Sequence, residues 1–305
     1  MKNDYTNLNH CNICNLRNIR RIALLFASQS ALPTRRLAAL GAHAGLSTAC
    51  YGVSYAGNTA EMLAVNRHPA VKAVAPLFND FDNFGHLVFP GGVLTVGFLE
   101  SWSNRTRMQD LNDICGLSGV SGAACDELRG RVTGVKPVDA DVDGALLAAA
   151  MAEHDANTVP FGAALEYEYR DDPFGPYGET NVGHRRSPSG HLPRIEESGV
   201  AMFIRAGWPD AGTVNGTLGR YNTISNAQQV FIGPWDHGAR NDADPFRPDH
   251  APVAPDADEQ FAELVAFFNE HLKEGGWPDA DRDQLLHARR GPVDTDRDLA
   301  PRGIR

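Results

Sequence analysis

The sequence predicts an α/β fold in which a parallel sheet is interrupted by an inserted helical region. Residues 46–51 are apolar, a serine turn follows them, residues 58–65 have a helical pattern, and residues 71–78 are apolar again. A strand, a helix and a strand in this order form a unit that implies parallel pairing. Strand-like stretches return only near residue 200, after a region in which short helical stretches alternate with Gly and Pro.

Length and charge bound the possible functions. The chain has 305 residues, enough for one large domain or for a core domain with an insertion. Its formal net charge of −10 argues against non-specific nucleic-acid binding, and no apolar run approaches the length of a membrane span. Residues 17–31 faintly resemble a signal peptide, but the polar lead is too long and the apolar run too short, so a cytoplasmic protein is expected.

The cysteines do not suggest a disulfide framework, because their number is odd and their spacing irregular. Cys11 and Cys14 have the spacing of half a zinc site or of a redox pair, but no second Cys-x-x-Cys exists. We interpret these two as reduced thiols in a poorly ordered tail, and we expect neither a metal nor a cofactor. The other cysteines are Cys50, Cys115 and Cys125.

Changes in composition predict the domain boundaries. Residues 1–21 and 279–305 are expected to be poorly ordered tails, since neither has a periodic apolar face. Residues 22–78 and 192–278 should form the sheet core, and residues 79–191 a helical cap over the strand ends, with its clearest helix at 145–154. Another helix is possible at 35–43. Residues 256–273 predict an amphipathic helix whose apolar face comprises Phe261, Leu264, Val265, Phe268 and Leu272.

Ser54 lies where the first strand turns into a helix, with Gly52 two residues before it and Ala56 two residues after it. A serine on so sharp a turn has strained backbone, and only small neighbours fit around it. The turn lifts the hydroxyl above the sheet, where the helix N-terminus stabilises negative charge. Because the Gly-x-Ser-x-small pattern is common by chance, an ordinary turn serine is the alternative to a nucleophile.

Two later strand-like stretches, 200–208 and 229–235, end in Asp210 and His237. Sites in open parallel sheets form at the carboxyl ends of the strands. A serine needs a base to become a nucleophile, histidine can take and return that proton, and a carboxylate fixes the imidazole tautomer. The chain order Ser, Asp, His is that of α/β-hydrolases. Asp236 is the rival acid; alone, Asp210 could be a helix N-cap and His237 a loop histidine.

At these residues the sequence resembles the CocE/NonD hydrolases, which include cocaine-esterase-like and α-amino-acid ester hydrolases and are related to X-Pro dipeptidyl-peptidases. The resemblance implies an α/β-hydrolase sheet with Ser54 as nucleophile, Asp210 as triad acid and His237 as base. It also implies that Tyr55 lends its backbone N–H to the oxyanion hole and that the cap shapes the acyl pocket. The matching pieces, all between residues 46 and 278, are 52–57, 73–76, 89–92, 206–210 and 232–238.

The sequence departs from the resembling family at both ends. An early segment with a tyrosine hydroxyl that completes the oxyanion hole has no counterpart, and neither has the C-terminal jelly-roll domain. A chain truncated at both ends, with one side of the sheet unpaired, is therefore expected. The resemblance implies a serine hydrolase for small ester or amide substrates that uses an acyl-enzyme, with weakened activity. The alternatives are an X-Pro dipeptidyl-peptidase-type peptidase and a catalytically impaired fragment.

Overall fold

The structure, a computed structural model, describes residues 22–26, 47–132, 138–172, 187–210, 212–248 and 251–273. The two tails expected at 1–21 and 279–305 and the helix expected at 35–43 lie outside these residues. The chain divides into two units, one of residues 1–79 with 191–305 and the other of residues 80–190.

Among the described residues, the first unit contains a five-stranded parallel sheet whose strands lie side by side in chain order. Strand β2 runs directly into Ser54, and its Gly52 pairs with Pro76 of the next strand. Because all the strands are parallel, the ends of β2, β4 and β5 lie at one edge of the sheet. The α/β prediction is confirmed. The strands are β1 (Ile22–Phe26), β2 (Ser47–Val53), β3 (Val71–Leu77), β4 (Ala201–Gly207) and β5 (Gln228–Gly233).

Strand β1 corrects one expectation from the sequence. One side of the sheet was expected to be unpaired, but β1 pairs with β2 in parallel register, from Ile22 opposite Ser47 to Phe26 opposite Tyr51, so β2 is not an edge strand. The segment is too short for its apolar pattern to distinguish a strand from a helix turn. Its pairing with β2 shows that the segment is a strand.

The helices divide between the two units. Helix α1 begins directly after Ser54 and is continued by a 3₁₀ turn at Ala64–Asn66. In chain order the α-helices are α1 (Tyr55–Met62), α2 (Val96–Asp110), α3 (Ile114–Ser118), α4 (Gly122–Arg131), α5 (Ala145–Asp155), α6 (Pro160–Ala164), α7 (Leu192–Ser198), α8 (Thr213–Thr223) and α9 (Ala257–Leu272). None of the helices among the described residues has both the length and the apolar character needed to cross a membrane.

Helix α9 covers one face of the sheet. It begins with a capping box in which the Asp256 carboxylate accepts from the backbone N–H of Glu259 and the Glu259 side chain accepts in return. The sequence correctly placed Leu264, Phe268 and Leu272 on the buried face. It was wrong for Phe261, which is 42% exposed. The centre of the buried face is shifted towards Phe267, whose ring packs against Phe203 of β4.

The second unit, residues 80–190, contains helices α2 to α6. It begins with a π-helical turn at Asn83–Val88 and a 3₁₀ turn at Pro90–Gly92. Cys115 and Cys125 form a disulfide that joins α3 to α4. The expectation of no disulfide framework is therefore wrong for this pair. Its ten-residue spacing gave no signal, because only the turn between two short helices brings the two Cα atoms to 5.4 Å. Cys50 is buried and is not part of a disulfide.

Candidate active site

The serine turn has the strained geometry that the sequence predicted. Ser54 has φ 63° and ψ −136°, a region that non-glycine residues rarely occupy. Two backbone bonds hold it there: its N–H donates to the Leu77 carbonyl at 2.9 Å, and its carbonyl accepts from the Gly57 N–H at 2.8 Å. The side chain therefore stands between the end of β2 and the start of α1.

Close backbone packing explains the small residues around this turn. A Cβ atom added to Gly52 would lie 2.3 Å from the Ala56 carbonyl oxygen, well inside van der Waals contact. A Cβ atom at Gly57 would lie 3.0 Å from the Asn79 Cβ and from the Leu77 carbonyl oxygen. The helix can leave the strand at this angle only because both positions lack a side chain.

Asp210 and His237 come together at the ends of β4 and β5. Nδ1 of His237 lies 3.0 Å and 2.9 Å from the two carboxylate oxygens of Asp210. The Asp210 side chain is 10% exposed, whereas that of His237 is 47% exposed. A carboxylate on Nδ1 favours the tautomer that leaves Nε2 free to accept a proton. The arrangement can therefore act as an oriented general base.

Thr213, which the sequence analysis missed, orients the Asp210 carboxylate. Its hydroxyl lies 2.9 Å from Asp210 Oδ2 and 2.8 Å from the Asp210 carbonyl. The threonine is 5% exposed, and its backbone N–H also donates to the Asp210 carbonyl. A threonine three residues after the acid, at the first turn of a helix, is the signal that could have identified it.

Asp236, the rival acid, is engaged within its own loop. Its carboxylate accepts from the backbone N–H groups of Arg240 and Asn241 at 2.8 and 2.9 Å, and from the Asn241 side-chain amide at 2.8 Å. Burial raises the pKa of this carboxyl, but the hydrogen bonds from Asn241 and Arg240 outweigh it and leave the pKa below its ordinary value. Asp236 shapes the loop that carries His237, while the imidazole bonds to Asp210.

Ser54 and His237 both flank Phe78. The Phe78 ring meets the imidazole edge-on, with 6.1 Å between centroids, and Ser54 is bonded to the preceding residue, Leu77. In the part of the chain that the structure describes, no hydrogen bond joins the Ser54 hydroxyl to His237. Hydrogen bonds between a catalytic serine and its base are often long without substrate.

Tyr55, the predicted oxyanion-hole residue, is the first residue of α1. Its side chain is 43% exposed, and burial raises the pKa of its phenol. The backbone N–H groups of a first helical turn have no partner within the helix, so they can serve an anion next to Ser54. Among the described residues, no cluster of three His, Cys, Asp or Glu side chains could hold a metal ion.

A parallel sheet with a strained serine turn and a carboxylate-bound histidine at its carboxyl edge is the architecture of an α/β-hydrolase. A sequence model described as X-Pro dipeptidyl-peptidase (S15 family) matches residues 47–239, more than half of the chain. The chain belongs to this family.

The matched relatives are mycobacterial. Proteins of Mycobacterium bovis and Mycobacterium tuberculosis, each named "Putative serine esterase", are 30% identical over 244 residues. The aligned segment is 74% of this chain but 37% of each relative. This chain therefore spans well under half the length of the curated relatives it matches.

Two solved structures with partial similarity are those of a carboxylesterase and of a proline iminopeptidase. A carboxylesterase of Nitrososphaera gargenis is 15% identical, with a TM-score of 0.37, over 77% of this chain and 70% of its own. A proline iminopeptidase of Mycobacterium smegmatis is also 15% identical, with a TM-score of 0.37, over 84% of this chain and 72% of its own.

Proposed function

We propose that this chain is a serine hydrolase that cleaves ester or amide bonds through an acyl-enzyme. Ser54 is the nucleophile, His237 the general base and Asp210 the residue that orients the base. The observation that carries the proposal is the contact of the Asp210 carboxylate with His237 Nδ1, at the sheet edge where Ser54 occupies its strained turn. Family membership and relatives named as serine esterases support the same chemistry.

The reaction proceeds in two halves. Ser54 Oγ attacks the substrate carbonyl carbon while its proton passes to His237 Nε2. The imidazolium then gives that proton to the leaving alcohol or amine, and the acyl group stays on Ser54. In the second half a water molecule attacks the acyl carbon while His237 takes its proton; the bond from that carbon to Ser54 Oγ then breaks, His237 returns the proton to Oγ, and the acid product is released. Asp210 stabilises the imidazolium in both halves.

The rate depends on how well the negative charge that develops on the former carbonyl oxygen is stabilised. We assign one donor to it, the backbone N–H of Tyr55 at the start of α1. Removal of one oxyanion donor costs on the order of 10²–10³ in turnover. We therefore propose weak activity, higher on activated esters than on amides, because a better leaving group needs less stabilisation of the tetrahedral intermediate.

The proposed substrates are small esters or amides of the kind handled by CocE/NonD enzymes, and the role of residues 79–191 as a cap stays a prediction. An X-Pro dipeptidyl-peptidase-type peptidase is the second candidate, favoured by the description of the matching family. A catalytically impaired fragment is the third. The absence of nucleic-acid and membrane partners stays a prediction, as does the cytoplasmic location. The Cys115–Cys125 disulfide argues against that location, since disulfides persist mainly in oxidising compartments.

Hydrolysis of p-nitrophenyl acetate and of a Gly-Pro-p-nitroanilide by the purified chain tests the proposal. We expect slow release from the ester, less from the anilide, and none above background for Ser54→Ala. Asp210→Asn should lower kcat strongly, whereas the matched control Asp236→Asn should affect activity much less. Equal turnover by wild type and Ser54→Ala would remove Ser54 from the mechanism, and faster cleavage of the anilide than of the ester would favour the peptidase.

A further inference from the structure

A fully buried ion pair lies beneath the candidate active site. Arg220 of α8 donates from Nε to Glu61 Oε1 and from Nη2 to Glu61 Oε2, both at 2.7 Å. Neither side chain has any solvent exposure. Asn79 completes the group, since its amide donates to Glu61 Oε2 at 3.0 Å and its carbonyl oxygen accepts from Arg220 Nη2 at 3.2 Å.

Each member of this triplet is tied to one residue of the proposed triad. Glu61 lies in α1, seven residues after Ser54. Arg220 lies in α8, seven residues after Thr213, whose hydroxyl contacts Asp210. Seven residues are about two helical turns, or about 10 Å, so the pair joins the two helices at the same depth below their catalytic ends. Asn79 follows Phe78, whose ring contacts His237.

Stability alone is a poor reason to keep such a group. Removing two charges from water costs free energy that their attraction barely repays, and apolar residues of the same volume often stabilise a fold as well or better. A two-pronged Arg–carboxylate bond has fixed geometry, however, and apolar contacts do not. The fixed geometry of the group therefore explains the burial of these charges better than a contribution to stability does.

We propose that Glu61, Arg220 and Asn79 are positioning residues that set the distance and angle between the Ser54 turn and the Asp210–His237 pair. This inference rests on the proposed function of that pair. None of the three touches the substrate. They hold α1, α8 and the end of β3 together, and a misplacement of about 1 Å at reacting groups can cost on the order of 10²-fold in rate.

The test compares two buried carboxylates that differ in what they join. Glu61→Gln replaces one acceptor oxygen by an NH₂ group that faces donors of Arg220 or Asn79. Glu263→Gln is the matched control, because Glu263 forms a buried pair with Arg205 that links α9 to β4. Well below the melting temperature, with folded sites counted by fluorophosphonate titration, Glu61→Gln should lower kcat about 10- to 100-fold with little change in KM. Glu263→Gln should keep near wild-type kcat despite lower stability.

Similar kcat losses in both variants would show that the Glu61 pair is merely structural and would overturn the inference. Should Glu61→Gln fail to fold, Asn79→Ser removes two of the hydrogen bonds and keeps the ion pair, with a smaller kcat loss expected. The failure of the proposed function looks different, because Ser54→Ala would then match the wild type. In that event the imidazole NMR signals decide: the Nδ1 proton bonded to Asp210 should shift in Glu61→Gln but not in Glu263→Gln, and unchanged signals would refute the positioning role.

Discussion

At the scale of single residues, Gly52 is the position where the chain tolerates least change. A Cβ atom there would lie 2.3 Å from the Ala56 carbonyl oxygen and 2.4 Å from its carbon, both backbone atoms that move only with α1. Gly52→Ala should therefore displace the first turn of α1 and lower kcat/KM about 10²-fold, with a loss of stability of about 1–3 kcal/mol. Ester hydrolysis and urea unfolding measure the two effects.

Gly97→Ala is the control for this substitution. Gly97 lies in α2, and a Cβ atom added to it meets nothing within 4 Å. The extra methyl group should leave activity unchanged and raise helix stability slightly, because glycine is a poor helix former. Wild-type kcat/KM in Gly52→Ala would contradict the close approach of β2 and α1.

Residues that follow a strand directly could be placed from the sequence. Ser54, Asp210 and His237 each stand at a strand end, and the parallel sheet brings the last two together. Buried polar residues inside helices could not be placed. A glutamate such as Glu61 has the pattern of a solvent-facing helix residue, and its burial follows from Arg220, 159 positions away. No local pattern carries that information.

At the scale of elements, α9 makes the fold sensitive to acid. His271 lies in this helix, with its ring 4.5 Å from the Phe267 ring. Burial lowers the pKa of the imidazole below its ordinary value of 6.5, and the charge of Glu270 opposes this only in part. Protonation therefore favours the unfolded chain. Stability is full above pH 6.5 and is lost as the pH falls from there towards the folded pKa.

Urea unfolding between pH 7.5 and pH 5 checks this sensitivity. The wild type should lose free energy of unfolding over this range, and His271→Gln should lose less, because its side chain does not titrate. Glu270→Gln removes the charge that opposes the shift and should enlarge the loss. The same pH dependence in the wild type and His271→Gln would assign the effect to other groups.

Whether a segment is a helix or a strand was easier to predict than the residues at which it begins and ends. The sequence pattern started the first helix at Asn58, whereas α1 begins at Tyr55. Tyr55, Ala56 and Gly57 form a weak helical sequence, and the Gly57 bond to the Ser54 carbonyl fixes them in the fold. Phe261 and Phe267 each lie three residues from Leu264, so both fit the helical period. Tertiary contacts decide that Phe267 is buried and Phe261 is exposed.

At the scale of the whole molecule, the Cys115–Cys125 disulfide predicts that the stability of one unit depends on reductant and that of the other does not. The bond closes a short loop within residues 80–190. Loops of this size contribute about 2–3 kcal/mol by restricting the unfolded chain. Dithiothreitol should therefore lower the stability of residues 80–190 and leave the packing of Phe203 against Phe267 intact.

A Cys115→Ala/Cys125→Ala double variant is the matched control. It should have the melting temperature of the reduced wild type and should show no response to dithiothreitol. Hydrogen exchange followed by mass spectrometry then locates the effect, with faster exchange expected in α3 and α4. Equal melting of the wild type with and without dithiothreitol would show that the bond contributes nothing to stability.

The buried bond between Glu61 and Arg220 also governs the order in which the protein can assemble during its synthesis. The two residues are 159 positions apart. A ribosome adds about 5–20 residues per second, so Arg220 leaves it roughly 8–30 s after Glu61. Throughout that interval the carboxylate of Glu61 cannot be buried together with the guanidinium of Arg220. The nascent β1–β3 segment therefore cannot pack fully around α1 until β4 and α8 have been synthesised, and the nucleophile turn acquires its final shape only after Arg220 has emerged.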